Sequence, residues 1–236
     1  FGSVGLVYAL ILAVFLQTGH QRTEKSVSTG EKVIRPNRVT VLAGLRLLLT
    51  NISFWVILLY YAIPSLPGWA TKNWLPTLAS TNLGIDMAQA GPLSTIAISF
   101  ASFIGVLVGG LLSDRWVQRN VRGRIYTSAI GLFLTLPALV LMGLGHSLGS
   151  LVGAALCFGV GYGMFDANNM PILCQFAPPR SRATAYGIMN MTGVFAGAFV
   201  TNWLGKSQDA GHLGQDFAIL GGIVVLVLIA QLTLLK

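Results

Sequence analysis

Long runs of residues without a charged side chain are the feature that most constrains this sequence. Only 9% of its 236 residues are charged, against about 25% in an average soluble domain. The uncharged runs are 1–21, 47–71, 87–113, 125–165, 183–205 and 217–235. A helix needs about 20 apolar residues to cross the hydrocarbon core of a bilayer. We therefore expect an all-α membrane protein whose solvent is the lipid bilayer.

The fourth run, 125–165, is long enough for two membrane-spanning helices. It contains Gly143, Gly145, His146 and Gly149, which are typical of a short turn. Dividing the run there gives seven predicted spans, near 1–17, 52–80, 90–113, 124–143, 149–176, 183–205 and 216–235. Pairs of glycines four residues apart predict close helix packing at 105/109, 149/153, 159/163 and 193/197.

Basic residues predict the orientation of the spans. All of the 15 Lys and Arg residues except Lys72 and Lys206 fall on one side of the predicted bundle. That side is expected to be the cytoplasm, which places the C-terminus inside and residue 1 outside. Since the net charge of +8 is accounted for by topology, we expect no nucleic-acid partner.

The segment 18–50 is the one long connection between predicted spans. Residues 18–32 have the composition of a flexible, solvated linker, whereas Val39–Leu49 predicts an amphipathic helix on the membrane surface. A long cytoplasmic linker between one span and six others suggests a boundary between domains. We expect 1–17 to be the last helix of a truncated N-terminal domain and 51–236 to be one six-helix domain.

Two short polar motifs stand at the cytoplasmic ends of spans. Residues Gly110–Arg115 read Gly-Leu-Leu-Ser-Asp-Arg, and Pro179–Gly187 read Pro-Arg-Ser-Arg-Ala-Thr-Ala-Tyr-Gly. Each alone is also compatible with an ordinary helix end whose arginine binds lipid phosphate. At these relative places the two motifs resemble the loops between helices 8 and 9 and between helices 10 and 11 of the major facilitator superfamily.

This resemblance implies that the last six spans form the C-terminal half-bundle of a 12-helix fold, with 1–17 as helix 6. It also implies that Asp114, Arg115 and Arg182 belong to a cytoplasmic gate. The sequence departs from the family pattern after Arg115, because Trp116-Val-Gln-Arg119 comes before the glycine-flanking pair Arg122 and Arg124. Transport is then expected by alternating access, with the two halves rocking about a site near the midplane.

The span 52–80 contains a second resemblance. Trp74-Leu-Pro-Thr is similar to the outer end of helix 7 in the organic-anion branch of the superfamily, which places Pro64-Ser-Leu-Pro-Gly68 near mid-membrane. Two interpretations follow. In the first, an interrupted span lines the binding site, and Lys72 with Trp69 binds an anionic substrate. In the second, the helix ends at Pro67, and Lys72 is an interfacial lysine in an outer loop.

Asp166 is a second charge inside a predicted span. A carboxylate in lipid is costly and is therefore a candidate for function, here for proton coupling. The alternative is a structural acid that binds Asn168, Asn169 or backbone groups near Pro171. Asn168 and Asn169 are also candidate substrate-binding residues.

Small polar side chains on two further spans are candidates for the same site. Thr95 and Ser99, followed by Ser102, share one helix face on the third span, and Asn190 lies on the sixth. They either line a polar cavity or pack helices together.

The sequence contains no phosphate-binding loop, no cluster of metal ligands and no nucleophile motif, so we expect no enzyme, no metal and no cofactor. The expected function is secondary active transport of an organic anion or sugar acid across the plasma (inner) membrane. The expected partners are this small-molecule substrate, a coupling proton or sodium ion, the bilayer and the missing N-terminal half. The alternatives are a neutral sugar transporter and a seven-helix receptor, which the long segment 18–50 disfavours.

Overall fold

The computed structural model describes residues 41–234, and their regular structure is entirely helical. The helices are α1 (Val41–Leu49), α2 (Ile52–Leu83), α3 (Met87–Val117), α4 (Gly123–Leu144), α5 (Leu148–Phe176), α6 (Arg182–Asp209) and α7 (Leu213–Leu234), with a 3-10 turn (Pro179–Ser181) before α6. Helices α2 to α7 are each long and apolar enough to cross a membrane. The prediction of six spans after the linker is confirmed, while the predicted span 1–17 and the linker 18–40 lie outside the described residues.

Local capping determines where several helices begin and end. The side chain of Asn51 accepts a hydrogen bond from the Ser53 amide at 2.9 Å, and α2 ends at Gly84 in the left-handed conformation with φ 64°. Ser147 and Ser150 cap α5 reciprocally. The helices extend up to four residues beyond the predicted spans, because these caps lie outside the apolar segments.

Helix α2 runs without interruption through Pro64, Pro67 and Pro76. The interpretation in which it ends at Pro67 and continues as an outer loop is therefore wrong. The interruption assumed in the other interpretation is also absent, because α2 is continuous through residues 64–68. Proline removes a backbone donor, but side-chain hydroxyls and neighbouring helices satisfy such sites in membrane proteins. The Ser65 hydroxyl, between Pro64 and Pro67, adds a hydrogen bond to the Tyr61 carbonyl at 2.7 Å, while the carbonyls that these two prolines leave without their usual amide partner are those of Tyr60 and Ile63.

Helices α3 and α5 pack through glycines on both sides. A Cβ added at Gly109 would lie 2.7 Å from the Met164 Cα, and one at Gly159 would lie 2.6 Å from the Ala101 Cβ. The predicted close packing at 105/109 and 159/163 is confirmed. The pair 193/197 receives aromatic rings from α2, whereas 149/153 faces open space, so that prediction is wrong.

Helix α1 confirms the predicted helix near Val39–Leu49 over its described residues. Leu48 is buried and packs in a cluster with Phe54 of α2 and Ala185 of α6, while Arg46 is exposed. This asymmetry anchors α1 to one end of the bundle. That end also carries Arg115, Arg119, Arg122, Arg124, Arg180 and Arg182, and we call it the arginine-rich end.

A buried polar cluster connects α2, α4 and α7. The Tyr60 and Ser128 hydroxyls share a hydrogen bond, and the Gln231 side-chain amide donates to the Tyr60 hydroxyl at 3.2 Å and to the Ile125 carbonyl at 2.9 Å. An unpaired polar group is costly in an apolar interior. These bonds therefore fix the positions of α2, α4 and α7 relative to one another.

Candidate functional site

A cleft of about 490 Å³ opens between α2, α3 and α5, near the middle of these helices. Its volume lies within the range of small-molecule binding sites. Its walls combine an apolar surface with hydroxyl groups and two opposite charges. The lining residues are Lys72 and Pro76 of α2, Ser94, Thr95, Ile98, Ser99, Ser102 and Val106 of α3, and Tyr162, Gly163 and Asp166 of α5.

Lys72 is exposed in this cleft and rests on aromatic rings. Its Nζ lies 5.5 Å from the centre of the Tyr162 ring and 6.0 Å from the centre of the Trp69 indole. Both distances are within the reach of cation–π attraction. Among the described residues no carboxylate lies within salt-bridge distance of Lys72. The ammonium group is thus held in position without its charge being neutralised.

Glycines on α2 and α6 place these two rings. A Cβ at Gly68 would lie 2.5 Å from the Tyr162 hydroxyl oxygen, so only glycine there lets the Tyr162 ring lie across α2. In the same way, a Cβ at Gly197 would lie 2.7 Å from the Trp69 ring. Trp69 is predicted as a substrate-binding residue, but it does not line the cleft and acts instead on the side chain of Lys72.

Asp166 faces the cleft, and its side chain is exposed there. The Asn169 amide donates to its Oδ1 at 3.2 Å, in agreement with the interpretation that Asn169 binds this acid. Asn168 is fully buried and donates to the Met164 carbonyl at 2.9 Å, away from the cleft wall. The structure therefore leaves Asp166 open to a proton or a ligand and makes Asn168 part of the helix interior.

The hydroxyl row on α3 forms one wall of the cleft. Thr95, Ser99 and Ser102 all line it, as expected if they face a polar cavity. Asn190 does not line the cleft; its side-chain oxygen accepts a hydrogen bond from the Tyr61 hydroxyl at 3.4 Å and connects α6 to α2. The structure thus brings Lys72, Asp166 and the α3 hydroxyls together and leaves Asn190 outside.

At the arginine-rich end Asp114 binds Arg124. Their side chains meet at 2.9 Å across the turn between α3 and α4, with the Arg124 side chain 21% exposed and that of Asp114 67% exposed. A Cβ at Gly123 would lie 2.6 Å from the Trp116 carbonyl carbon, so glycine lets α4 begin directly against the end of α3. Arg115, which the resemblance also assigns to the gate, is exposed and bound to no described carboxylate.

Arg182 binds the end of the preceding helix. Its guanidinium donates to the Cys174 carbonyl at 2.9 Å and to the Ala177 carbonyl at 3.3 Å. A cation is favoured there by the unpaired carbonyls and the negative end of the helix dipole. Arg182 therefore joins the end of α5 to the start of α6 and makes no ion pair with Asp114 in the described residues.

Two features of the site were not predicted from the sequence: the contact of Tyr162 with Lys72, and the ion pair between Asp114 and Arg124. The signal for Tyr162 was its position as the one bulky residue in Gly159–Gly163, a segment that packs closely against other helices. For Arg124 the signal was the glycine between it and Arg122.

The family model for the Major Facilitator Superfamily matches residues 1–201. Two curated relatives are bacterial transporters. The probable nitrate/nitrite transporter NarK2 of Mycobacterium tuberculosis is 29% identical over 82% of this chain and 46% of its own length. The 3-(3-hydroxy-phenyl)propionate transporter of Escherichia coli is 34% identical over 63% of this chain and 34% of its own length. The chain spans half or less of the length of these relatives.

A solved structure has a similar fold. A bacterial homologue of the human lysosomal transporter Spinster, in an inward-facing and unoccupied conformation, matches 88% of this chain and 53% of its own chain with a TM-score of 0.67 at 15% sequence identity. The similarity shows that the helices are arranged as in one half of that protein. Together with the family match, it makes the seven-helix receptor interpretation wrong.

Proposed function

Because this chain belongs to the Major Facilitator Superfamily, we propose that it forms one half of a secondary active transporter for a small organic anion. The other half supplies the opposite wall of the cleft, and the substrate binds between them. The arginine-rich end lies on the cytoplasmic side of a bacterial inner membrane, as the distribution of basic residues predicts. The proposed substrate is an anion, and specific binding of a neutral sugar in its place would contradict the proposal.

The observation that supports an anionic substrate is the unneutralised ammonium group of Lys72 in the cleft. A charged side chain inside a membrane protein is energetically costly, so one without a partner is a candidate for function. The aromatic rings of Tyr162 and Trp69 hold the side chain without supplying a negative charge. A carboxylate of a substrate would complete this site, and the hydroxyls of Thr95, Ser99 and Ser102 would bind its polar groups from α3. The names of the two relatives, which describe transporters of nitrate or nitrite and of an aryl propionate, support the same class.

Asp166 supplies a physical basis for coupling to protons. An anion that binds at Lys72 shares the cleft with the Asp166 carboxylate, and like charges in a partly desolvated site repel each other. Protonation of Asp166 removes the repulsion, so that a proton and an anion bind more favourably together than either does alone. This mutual dependence is the thermodynamic requirement for symport.

Binding of the anion can be tested by thermal unfolding of the complete transporter in detergent. The panel contains nitrate, aryl carboxylates, citrate, sugar acids and neutral sugars. A ligand at about 100 times its dissociation constant stabilises the folded state by about 2.7 kcal/mol. We expect at least one anion, and no neutral sugar, to raise the unfolding temperature.

Two variants assign the effect to the cleft. Lys72→Gln should abolish the stabilisation. Lys206→Gln is the control, because Lys206 is an exposed lysine in the last turn of α6 and does not line the cleft, and this variant should keep the stabilisation. Stabilisation by a neutral sugar alone, or an anion effect that survives Lys72→Gln, contradicts the proposal.

A further inference from the structure

A second concave surface lies between α4 and α7, neither of which lines the cleft. This groove has a volume of about 730 Å³ and is lined only by apolar and aromatic side chains, among them Ile130 and Phe133 of α4 and Ile229 of α7. Trp116, near the end of α3, and Tyr126, in the first turn of α4, line its arginine-rich end. The groove thus has an apolar body and an aromatic mouth.

Two arginines stand directly beyond this aromatic mouth. The Arg119 amide donates to the Trp116 carbonyl at 3.0 Å, so Arg119 lies one turn beyond Trp116. The Tyr126 amide donates to the Arg122 carbonyl at 3.0 Å, so Arg122 lies one turn before Tyr126. Residues three or four apart in a helical turn share a face. Trp116 and Tyr126 therefore each have an arginine one turn away along the chain, toward the turn between α3 and α4.

Both arginines are exposed and make no ion pair within the described residues. The turn between α3 and α4 contains no acid, and Asp114, near the end of α3, is bound by Arg124 at 2.9 Å. The mouth of the groove therefore carries two positive charges without a local counter-charge. A zwitterionic headgroup would bring its own positive group to these arginines, whereas a headgroup with net negative charge would not.

We propose that the groove between α4 and α7 binds an anionic phospholipid, with its phosphate at Arg119 and Arg122 and an acyl chain along the apolar lining. The aromatic residues Trp116 and Tyr126 occupy the level between headgroup and chain, where such rings are favoured. The arginine-rich end is assigned to the cytoplasm, whose leaflet attracts basic residues through its anionic lipids. This site is separate from the cleft, and its occupant is a lipid of the surrounding membrane and not the transported substrate.

The first test uses the complete transporter in detergent, with phosphatidylglycerol or phosphatidylcholine added at equal concentrations. Native mass spectrometry measures how much lipid each sample retains. We expect phosphatidylglycerol to be retained preferentially, and each arginine replaced should weaken its binding about fivefold, since a basic residue near an anionic membrane surface contributes about 1 kcal/mol. The variants are Arg119→Gln, Arg122→Gln and the double substitution.

Arg180→Gln is the matched control, because Arg180 is an exposed arginine of the same end in the turn between α5 and α6. It should keep the preference for phosphatidylglycerol. Equal retention of the two lipids by the unmodified protein, or an equal loss in Arg180→Gln and in the double variant, overturns the proposal.

A second measurement locates the acyl chain and does not depend on the arginine variants. Phosphatidylglycerol and phosphatidylcholine with brominated chains quench nearby tryptophan fluorescence, and the difference between the unmodified protein and Trp116→Phe isolates Trp116. We expect stronger quenching of Trp116 by the brominated phosphatidylglycerol. Equal quenching by both lipids would show that the groove does not select an anionic lipid.

Discussion

At the scale of single residues, the cleft is organised around two charges that are not bound to each other. Lys72 is held by the Tyr162 and Trp69 rings, and Asp166 accepts a hydrogen bond from Asn169. Within the described residues no salt bridge joins them. A direct ion pair would neutralise both groups and leave little for a ligand to recognise. In the proposed mechanism, their separation lets an anion and a proton occupy the cleft together.

Asp166→Asn should abolish the dependence of anion binding on pH. The amide cannot take up the coupling proton, and it no longer repels the anion held by Lys72. We expect the anion to bind about 5- to 150-fold more tightly at neutral pH, the range of typical coupling free energies, and the affinity to stay constant as the pH is lowered. Titration calorimetry at several pH values measures this.

The matched variant is Asp209→Asn, which removes an exposed acid at the end of α6 and should keep the original pH dependence. If Asp166→Asn retains the full pH dependence, Asp166 is not the proton carrier, while the role of Lys72 stands.

At the scale of elements, the spans could be predicted to within a few residues, because hydropathy and helix caps are local properties of the sequence. The path of α2 could not, since whether three prolines end a helix depends on what packs around it. Gly68 is compatible with either path until Tyr162 of α5 is placed against it. The same holds for Asp114, whose choice of Arg124 over Arg115 requires α4 to begin against α3.

Close packing of α3 and α5 makes Gly163 intolerant of a side chain. A Cβ there would lie 3.0 Å from the Val106 amide nitrogen and closer still to the Ser102 carbonyl oxygen. Gly163→Ala should therefore destabilise the protein by about 1–3 kcal/mol, the usual cost of overpacking. Gly153→Ala, on the same helix with nothing within 4 Å, should be neutral or stabilising by up to about 1 kcal/mol. Thermal unfolding in detergent measures both, and an equal loss in the two variants would contradict this packing.

The bond between Asp114 and Arg124 predicts a specific pattern of transport defects. Asp114→Asn and Arg124→Gln should each lower uptake by the complete transporter by up to about fivefold, since an exposed ion pair contributes about 1 kcal/mol or less. The double variant should be no worse than either single one, because both remove the same contact. Arg115→Gln removes a neighbouring charge outside the pair and should leave uptake near its original value. Additive losses in the double variant, or unchanged uptake in Asp114→Asn, would show that the pair has no part in the gate.

At the scale of the whole molecule, the cleft and the apolar groove are lined mainly by different helices. The cleft is formed by α2, α3 and α5, whereas the apolar groove is formed by α4 and α7 with the end of α3. Transporters with two halves bind substrate between them and expose their outer helices to the bilayer. We therefore expect the cleft to face the other half of the transporter and the groove to face lipid.

The most direct test of the anion site is uptake into proteoliposomes by the complete transporter. An anion that stabilises the protein in detergent is supplied outside, with an inward proton gradient, and initial rates are compared for the unmodified protein, Lys72→Gln and Lys206→Gln. We predict at least about a tenfold loss of kcat/KM in Lys72→Gln, equivalent to about 1.4 kcal/mol of binding free energy, and unchanged uptake in Lys206→Gln. Unaltered anion uptake by Lys72→Gln would contradict the account.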